Sequence, residues 1–459
     1  MIADLEVKEN KLLTGPVAAV LIQLALPIMA GMFLQTAFNL VDTWFVSRLG
    51  QDAIAAVSMN IPLFFIVLAM GSAVAVGTSS LVAQAVGAGD ISKAGKIASQ
   101  AVTLAVVIGV VSGTIGTIAA RPLLILMGAE GVALEYAVEY TRIILAGNPI
   151  FFLYMALDGV LRGEGDMKTS MAILAAATIV NILLDPIFIF GLGPVPALGV
   201  GGAALATMLA RGLGLLVLLG HFSAGRSSIV FRLVSWQWDV ATIMGIFRIG
   251  IPTAISQAML SLTMFVYNLL ANQFGAHVVA ALGLGFRIDS LAFMPGMAVA
   301  IATVTMVGQN YGARHYHRVY SAYRTALLLV LVSMGGAGLI IYFLPNFFVG
   351  IFTQEGPVVE QAISYLRIIP LFYGFLGMGI VTASAFQGLG RGLPALVVNM
   401  FRLGLVGIPV AVLLTRVFDS GPVGIWWALA LSDFSFAIVG IIWFTLSARN
   451  LGKESALEN

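Results

Sequence analysis

The sequence predicts an all-α integral membrane protein with twelve transmembrane helices in two similar six-helix halves. Three observations lead to this fold class: the composition, the number of long apolar segments and a repeat that spans the chain. The chain is 60% hydrophobic and 10% charged, whereas an ordinary soluble domain is about 25% charged. A soluble fold could not bury so much apolar surface, so the bilayer is the expected solvent.

Twelve apolar segments are long enough to cross the hydrocarbon core, which takes about 20 residues. They lie at 16–47, 53–85, 94–119, 132–160, 168–191, 199–222, 240–273, 278–310, 319–345, 357–386, 392–416 and 422–447. Prolines inside these segments should bend their helices, because each proline removes one backbone hydrogen bond. They are Pro27, Pro149, Pro186, Pro252, Pro295, Pro370 and Pro409.

The second half of the chain repeats the first at a constant offset of 225 residues, as from Pro27 to Pro252. Two copies of one membrane unit are how many secondary transporters are built. Six helices are an even number, so both copies should cross the membrane in the same sense. The predicted domains are an N-terminal lobe at 1–222, a cytoplasmic linker at 223–239 and a C-terminal lobe at 240–459.

Lysine and arginine predict the topology, because they accumulate in cytoplasmic loops. With the N-terminus inside, the cytoplasmic segments hold Lys8, Lys11, Lys93, Lys96, Arg162, Lys168, Arg226, Arg232, Arg314, Arg318, Arg391, Arg449 and Lys453, and the opposite loops hold Arg48, Arg121 and Arg416. Both termini are therefore expected in the cytoplasm of a cell whose plasma membrane the chain spans.

Acidic residues distinguish the two halves at matched membrane positions. Asp42 lies opposite Tyr267, and Asp185 lies opposite the apolar neighbourhood of Pro409 and Val410. Both acids lie about six residues from the outer ends of their spans, roughly 9 Å deep at 1.5 Å per residue. A carboxylate at membrane depth costs at least ~2.5 kcal/mol, so each should face water, bind a cation or take a proton.

Neutral polar residues accompany these acids. Asn181 precedes Asp185 by one helical turn and shares its face, and Thr207 returns to a similar depth on the next span. Gln35 and Asn39 form a polar stripe with Asp42 on the first span. The carboxylates could exchange protons, the same oxygens could ligate Na⁺, or the polar groups could simply tie helices together.

Three further charged groups allow two readings each. Asp158 could pair locally with Arg162, four residues on, or add an acid to a cavity. Arg287 and Asp289, two residues apart, should face different ways; one of them could line a cavity of the C-terminal lobe, or both could pair across helices. Asp433 is a plausible partner for Arg287 or Arg402.

Several function classes are excluded by absent residues and motifs. The chain has no cysteine and a net charge of +2, which excludes thiol chemistry and gives no basic field for nucleic acid. No phosphate-binding loop, catalytic triad or zinc motif is present, so the chain is not expected to be an enzyme, and transport would draw on an ion gradient.

Five segments together resemble the multidrug and toxic compound extrusion (MATE) transporters, most closely their DinF-like and archaeal branch. They are PIMAGMFLQTAFNLVDTWFVSRLG at 27–50, GTSSLVAQAVGAGD at 77–90, LRGEGD at 161–166, NILLDPIFIFGLG at 181–193 and GVGGAALAT at 199–207. The resemblance covers essentially the whole chain. It implies two six-helix lobes that form a V-shaped cleft.

The resemblance also implies roles for single residues. Asp42, Asn181, Asp185 and Thr207 would form the ion-coupling site, which could hold Na⁺. Gln35, Asn39 and Tyr140 would line the adjoining substrate cavity, and Pro27 would let the first helix bend. Asp158, where a neutral polar residue is expected, would add an acid to that cavity, and Asp289 is a second departure.

The function expected from this resemblance is secondary active multidrug efflux. The chain would act as a monomer, without a cofactor, and export amphipathic organic cations in exchange for H⁺ or Na⁺ by alternating access. The alternative is a lipid or lipid-linked sugar flippase of the same architecture.

Overall fold

A computed structural model describes residues 10–231 and 238–457, and these residues are mostly helical, as predicted. The helices are α1 (Lys11–Thr14), α2 (Val17–Ser47), α3 (Gln51–Gly87), α4 (Ile91–Leu126), α5 (Gly131–Ala146), α6 (Asn148–Glu164), α7 (Met167–Phe190), α8 (Gly199–Ser223), α9 (Val240–Asn272), α10 (Ala276–Gly312), α11 (Tyr316–Phe343), α12 (Pro345–Gly350), α13 (Gly356–Leu366), α14 (Tyr373–Gly388), α15 (Gly392–Met400), α16 (Ile408–Val412) and α17 (Val423–Leu457). Residues 232–237 of the predicted linker lie outside the described residues.

The number of spans agrees with the prediction once one bent pair is counted as a single crossing. Within the described residues, eleven helices or continuous helical segments are long and apolar enough to span a membrane, and the pair α5 and α6 makes the twelfth. The helix axis bends by 47° between α5 and α6. The predicted fourth span is therefore broken at Gly147. This break lies two residues before Pro149, one of the prolines expected to bend a helix.

The tenth and eleventh spans depart from regular α-helix near their prolines. A 3₁₀ turn at Ile369–Phe372, which contains Pro370, joins α13 to α14. Two π-helical segments, Phe401–Gly407 and Leu413–Val417, flank α16, which contains Pro409. Proline removes a donor from the helical ladder, and such local rewinding is a common response.

The described helices group into two compact units. The N-terminal unit comprises Ala30–Ile251, and the C-terminal unit comprises the chain up to Met29 together with Pro252–Asn459. The predicted lobes, 1–222 and 240–459, each keep their helices whole. The boundaries of the observed units instead fall inside α2 and α9. Both divisions lie beside a repeated proline, Pro27 or Pro252, where the helical hydrogen bonding is weakest.

Hydrogen bonds attach the start of the chain to the C-terminal unit. The guanidinium of Arg318 donates to the carbonyl oxygens of Leu12 and Gly15 at 3.1 and 2.8 Å. The amide of Asn10 donates to Gln309 Oε1 at 3.0 Å. The beginning of α9 packs closely against α3 within the N-terminal unit. A Cβ on Gly250 would lie only 2.1 Å from the carbonyl oxygen of Ala73.

The segment after α8 is fastened by the carboxylate of Glu164. Glu164 accepts a hydrogen bond from Ser227 Oγ at 2.6 Å and from both the amide and the hydroxyl of Ser228 at 2.7 Å. Just before α9, hydrogen bonds from Thr242 hold the pKa of Asp239 below its ordinary value. Polar side chains thus fix the chain on both sides of the undescribed linker residues.

The repeat is visible in the closest helix contacts. A Cβ on Gly163 would lie 2.7 Å from the carbonyl oxygen of Ser79, and one on Gly388 would lie 2.8 Å from that of Val304. Both the glycines and the carbonyls are 225 residues apart. Each half therefore uses the same glycine to let two helix backbones touch.

Gly163→Ala and Gly388→Ala should each destabilise the protein by about 1–3 kcal/mol, because the added methyl group meets backbone that cannot move aside. Gly220→Ala is the matched control, since its Cβ would meet nothing within 4 Å. That control should leave the melting temperature unchanged or raise it, because alanine favours helix. Thermal unfolding of the purified proteins in detergent measures all three; equal behaviour of the three variants would contradict the packing argument.

Candidate functional site

Asp42 of α2 and Asp185 of α7 both lie in the N-terminal unit and interact electrostatically. Asp185 is fully buried, and Asp42 is half-buried. Each keeps one buried oxygen, Asp42 Oδ1 and Asp185 Oδ2, without a hydrogen-bond partner in the described structure. The structure therefore brings together two carboxylates that retain acceptor capacity for a proton or a cation.

Asn181 is the direct partner of Asp185. Its Nδ2 donates to Asp185 Oδ1 at 3.0 Å, the one-turn contact expected from a four-residue spacing. This bond leaves Asn181 Oδ1 as a further acceptor near the acids. Thr207 lies on α8, which packs tightly against α7, but no described hydrogen bond links its hydroxyl to Asp42, Asn181 or Asp185.

The predicted polar stripe on α2 is present. Gln35 Nε2 donates to Asn39 Oδ1 at 3.3 Å, and Asp42 follows within the next turn. Asn39 is exposed, whereas Gln35 is half-buried. Pro27 lies in the same helix, which continues through it from Val17 to Ser47.

Tyr140 of α5 interacts electrostatically with the charged groups of this region. Its hydroxyl interacts with three charged groups of the N-terminal unit, Asp42, Asp185 and Arg211. The predicted cavity residue is thus brought close to Asp42 and Asp185. It also lies close to a cation that the sequence reasoning overlooked.

Arg211 lies in the middle of α8, twelve residues from each end of Gly199–Ser223. Its guanidinium carbon lies 4.9 Å from the ring centre of Phe151 and 5.7 Å from that of Phe64. Across the described residues, no carboxylate lies within 4.0 Å of its nitrogens. Its central position in a predicted span, one turn after Thr207, was the feature that could have identified it.

The aromatic rings do not offset the cost of placing this charge in the membrane. A cation–π contact is worth about 0.5–2 kcal/mol. Arginine at the centre of a membrane helix costs at least about 2.5–3.5 kcal/mol. Arg211 is therefore a charge that the described protein leaves incompletely compensated.

Asp158, in contrast, is fully paired. Its Oδ2 forms an ion pair with Arg162, 2.7 Å from Nε, and its Oδ1 accepts a hydrogen bond from the hydroxyl of Ser170. Only 3% of Asp158 is exposed. The local ion pair, one of the two readings of this residue, is what the structure contains.

The buried acids of the C-terminal unit are also paired. Asp289 accepts hydrogen bonds from Tyr365, at 2.5 Å, and from Tyr373. Asp433 lies 2.6 Å from a guanidinium nitrogen of Arg402, one of its two expected partners. The other, Arg287, is exposed, while Asp289 is buried, as their two-residue spacing predicted.

A separate apolar cavity of about 470 Å³ lies in the N-terminal unit. Side chains of α3 and α4 line most of it, together with Leu145 and Asn148. Its polar members contact each other, since Asn148 Nδ2 donates to Ser112 Oγ at 3.2 Å. None of the predicted site residues lines this cavity.

Asp185→Asn should leave the melting temperature unchanged or raise it, because the substitution keeps the shape and removes an incompletely paired buried charge. Asp158→Asn is the matched comparison and should cost about 1.5–3 kcal/mol, the contribution of hydrogen bonds to a charged group. Thermal unfolding in detergent measures both. If Asp185→Asn were as destabilising as Asp158→Asn, the Asp185 carboxylate would have to be a structural group.

The family model MatE matches the chain twice, over residues 27–187 and 252–413. The chain is 30% identical over 431 residues to the probable multidrug resistance protein NorM of Thermotoga maritima, covering 94% of this chain and 92% of that protein. It is 29% identical over 443 residues to the FAD transporter of Shewanella oneidensis, covering 95% and 96%.

Solved structures agree with this likeness. A crystal structure of MATE in the bent conformation superposes with a TM-score of 0.91 at 32% identity, covering 97% of this chain and 98% of that one. A transporter of the MOP superfamily from Pyrococcus furiosus, described as having a binding pocket of reverse polarity, gives a TM-score of 0.90 at 32% identity, covering 96% and 98%. The twofold family match, the multi-pass helical fold and these structures together show that the chain belongs to the MATE family of transporters, and it is not an enzyme.

Proposed function

We propose that this protein is a secondary active multidrug efflux antiporter that exchanges amphipathic organic compounds for H⁺ or Na⁺. The observation that carries the proposal is the pair of buried oxygens, Asp42 Oδ1 and Asp185 Oδ2, that have no hydrogen-bond partner in the described structure. Buried carboxylates in membrane helices are expected to serve ion pathways when they lack a fixed cation.

Exchange follows from competition for the same two carboxylates. When both are ionised, they present two negative charges to an organic cation. A proton on either oxygen removes one of these charges, and Na⁺ would be held by the oxygens of Asp42, Asp185 and Asn181, the hard ligands that such ions prefer. The ion and the cation then cannot both bind well, and alternating access would turn this competition into antiport.

The relatives favour drug cargo over the flippase alternative. Relatives from three species, Thermotoga maritima, Bacillus subtilis and Staphylococcus aureus, carry multidrug names. The Shewanella oneidensis relative is an FAD transporter at similar identity, so family membership alone leaves the cargo open. A monomer in the plasma membrane, with both termini cytoplasmic, is part of this proposal.

Asp42→Asn and Asp185→Asn should each abolish gradient-driven export of ethidium from proteoliposomes, because an amide cannot exchange a proton or attract a cation as a carboxylate does. H⁺ and Na⁺ gradients are imposed separately, so the gradient that drives the wild type identifies the coupling ion. Glu135→Gln is the control. Its pair with Arg121 is exposed, and exposed pairs contribute about 0–1 kcal/mol, so its export rate should stay near that of the wild type.

Export by both Asn variants at the wild-type rate under both gradients would remove the two acids from their assigned role. Movement of fluorescent phospholipid by the wild type, without ethidium export under either gradient, would support the flippase instead.

A further inference from the structure

Arg211 is a charged group of the N-terminal unit that ion coupling does not explain. It is half-buried at the centre of a membrane-spanning helix. Its described neighbours are the rings of Phe64 and Phe151 and the hydroxyl groups of Tyr140 and Tyr154, with which it interacts electrostatically. No described hydrogen bond or ion pair occupies its nitrogens.

Arg402 provides the comparison within the same chain. It also lies over an aromatic ring, 5.1 Å from the centre of Phe436, but it pairs with Asp433 at 2.6 Å. Phe436 is the residue that matches Arg211 in the repeat, 225 positions later. The C-terminal unit thus supplies Arg402 with a carboxylate, whereas the described part of the N-terminal unit supplies none to Arg211.

The chemistry of the guanidinium determines what that molecule must carry. Arginine presents a planar fork of donors that matches a carboxylate or a phosphate with two parallel hydrogen bonds. The half-buried ring of Phe64 borders the fork and provides an apolar face for a flat organic body, whereas the ring of Phe151, which the guanidinium also approaches, belongs to the buried core. We infer that Arg211 binds the anionic group of an aromatic cargo molecule and selects for cargo that carries such a group.

The depth of Arg211 distinguishes cargo from lipid as the source of the anion. Twelve residues separate Arg211 from each end of α8, which is roughly 18 Å at 1.5 Å per residue. The hydrocarbon core is about 30 Å thick, so lipid phosphates lie about 15 Å or more from its centre. A lipid headgroup in its normal position therefore does not reach Arg211.

This inference rests on the proposed function, because it concerns the cargo of the same region. Tyr140 interacts electrostatically with Arg211, Asp42 and Asp185, so groups of opposite charge act on one side chain. Cargo that carries a cationic and an anionic group would place the first toward Asp42 and Asp185 and the second on Arg211. Exchange with the ion would then still act through the carboxylates.

Rhodamine B and its methyl ester provide a matched pair of probes. They share one cationic aromatic body, and the ester lacks the free carboxylate. Fluorescence polarisation with purified protein measures the dissociation constants of both. Arg211→Gln should weaken binding of rhodamine B roughly 10- to 100-fold more than binding of the ester, as expected for hydrogen bonds to a charged group. Arg211→Lys should lose part of that preference, because an ammonium group lacks the planar fork.

Arg142→Gln is the matched control. Arg142 lies in the same unit on α5 and is exposed, so this variant removes the same charge and should change both affinities equally. Size-exclusion chromatography verifies that each variant is folded. An equal effect of Arg211→Gln on both probes, or wild-type protein that binds neither, would overturn the inference.

Transport of the ester separates this inference from the proposed function. Arg211→Gln keeps both acids and should still export the ester under the ion gradient that drives the wild type. If the wild type shows the arginine-dependent preference for rhodamine B but no gradient moves either probe, the antiport proposal fails while the binding site remains. If the gradient drives the ester and Arg211→Gln has no selective effect, antiport stands and the role of Arg211 fails.

Discussion

A buried charge in a bilayer has no water to solvate it, and this constraint separates the acids of this protein into two groups. Asp158 and Asp433 each have an arginine, and Asp289 has two tyrosine hydroxyls. These partners compensate the charge, and those of Asp289 and Asp433 also connect separate helical segments. Asp42 and Asp185 lack comparable partners, so their charges are available to mobile ions. The difference in pairing, rather than the presence of acids, marks the site.

The N-terminal unit combines two kinds of incomplete compensation. Asp42 and Asp185 each keep a carboxylate oxygen without a hydrogen-bond partner, and the guanidinium nitrogens of Arg211 have no described partner. Tyr140 interacts with all three, so both sets belong to one region of the unit. A transporter that exchanges an ion for cargo needs such groups, because only interactions that the protein itself leaves unmade can be offered to both ligands in turn.

Much of this architecture follows from local sequence patterns. Such patterns reflect interactions within one helix or between the two copies of the repeat. They include the span lengths, the repeat itself and the four-residue spacing of Asn181 and Asp185. Contacts between distant residues were harder to predict. The tyrosine partners of Asp289 lie 76 and 84 residues away, and nothing in the sequence pairs them. The sequence analysis missed Arg211 because no acid lies three or four residues from it. The lack of an acidic partner is, however, the property that leaves its charge available to a ligand.

The division of α2 and α9 between the two units makes the two halves of the chain depend on each other. The C-terminal unit is completed by the residues up to Met29, and the N-terminal unit is completed by those up to Ile251. Each copy of the repeat thus gives the beginning of its first helix to the other copy. Either half expressed alone would therefore lack the segment that completes its helical unit, because the two halves exchange that segment as the subunits of domain-swapped homodimers do.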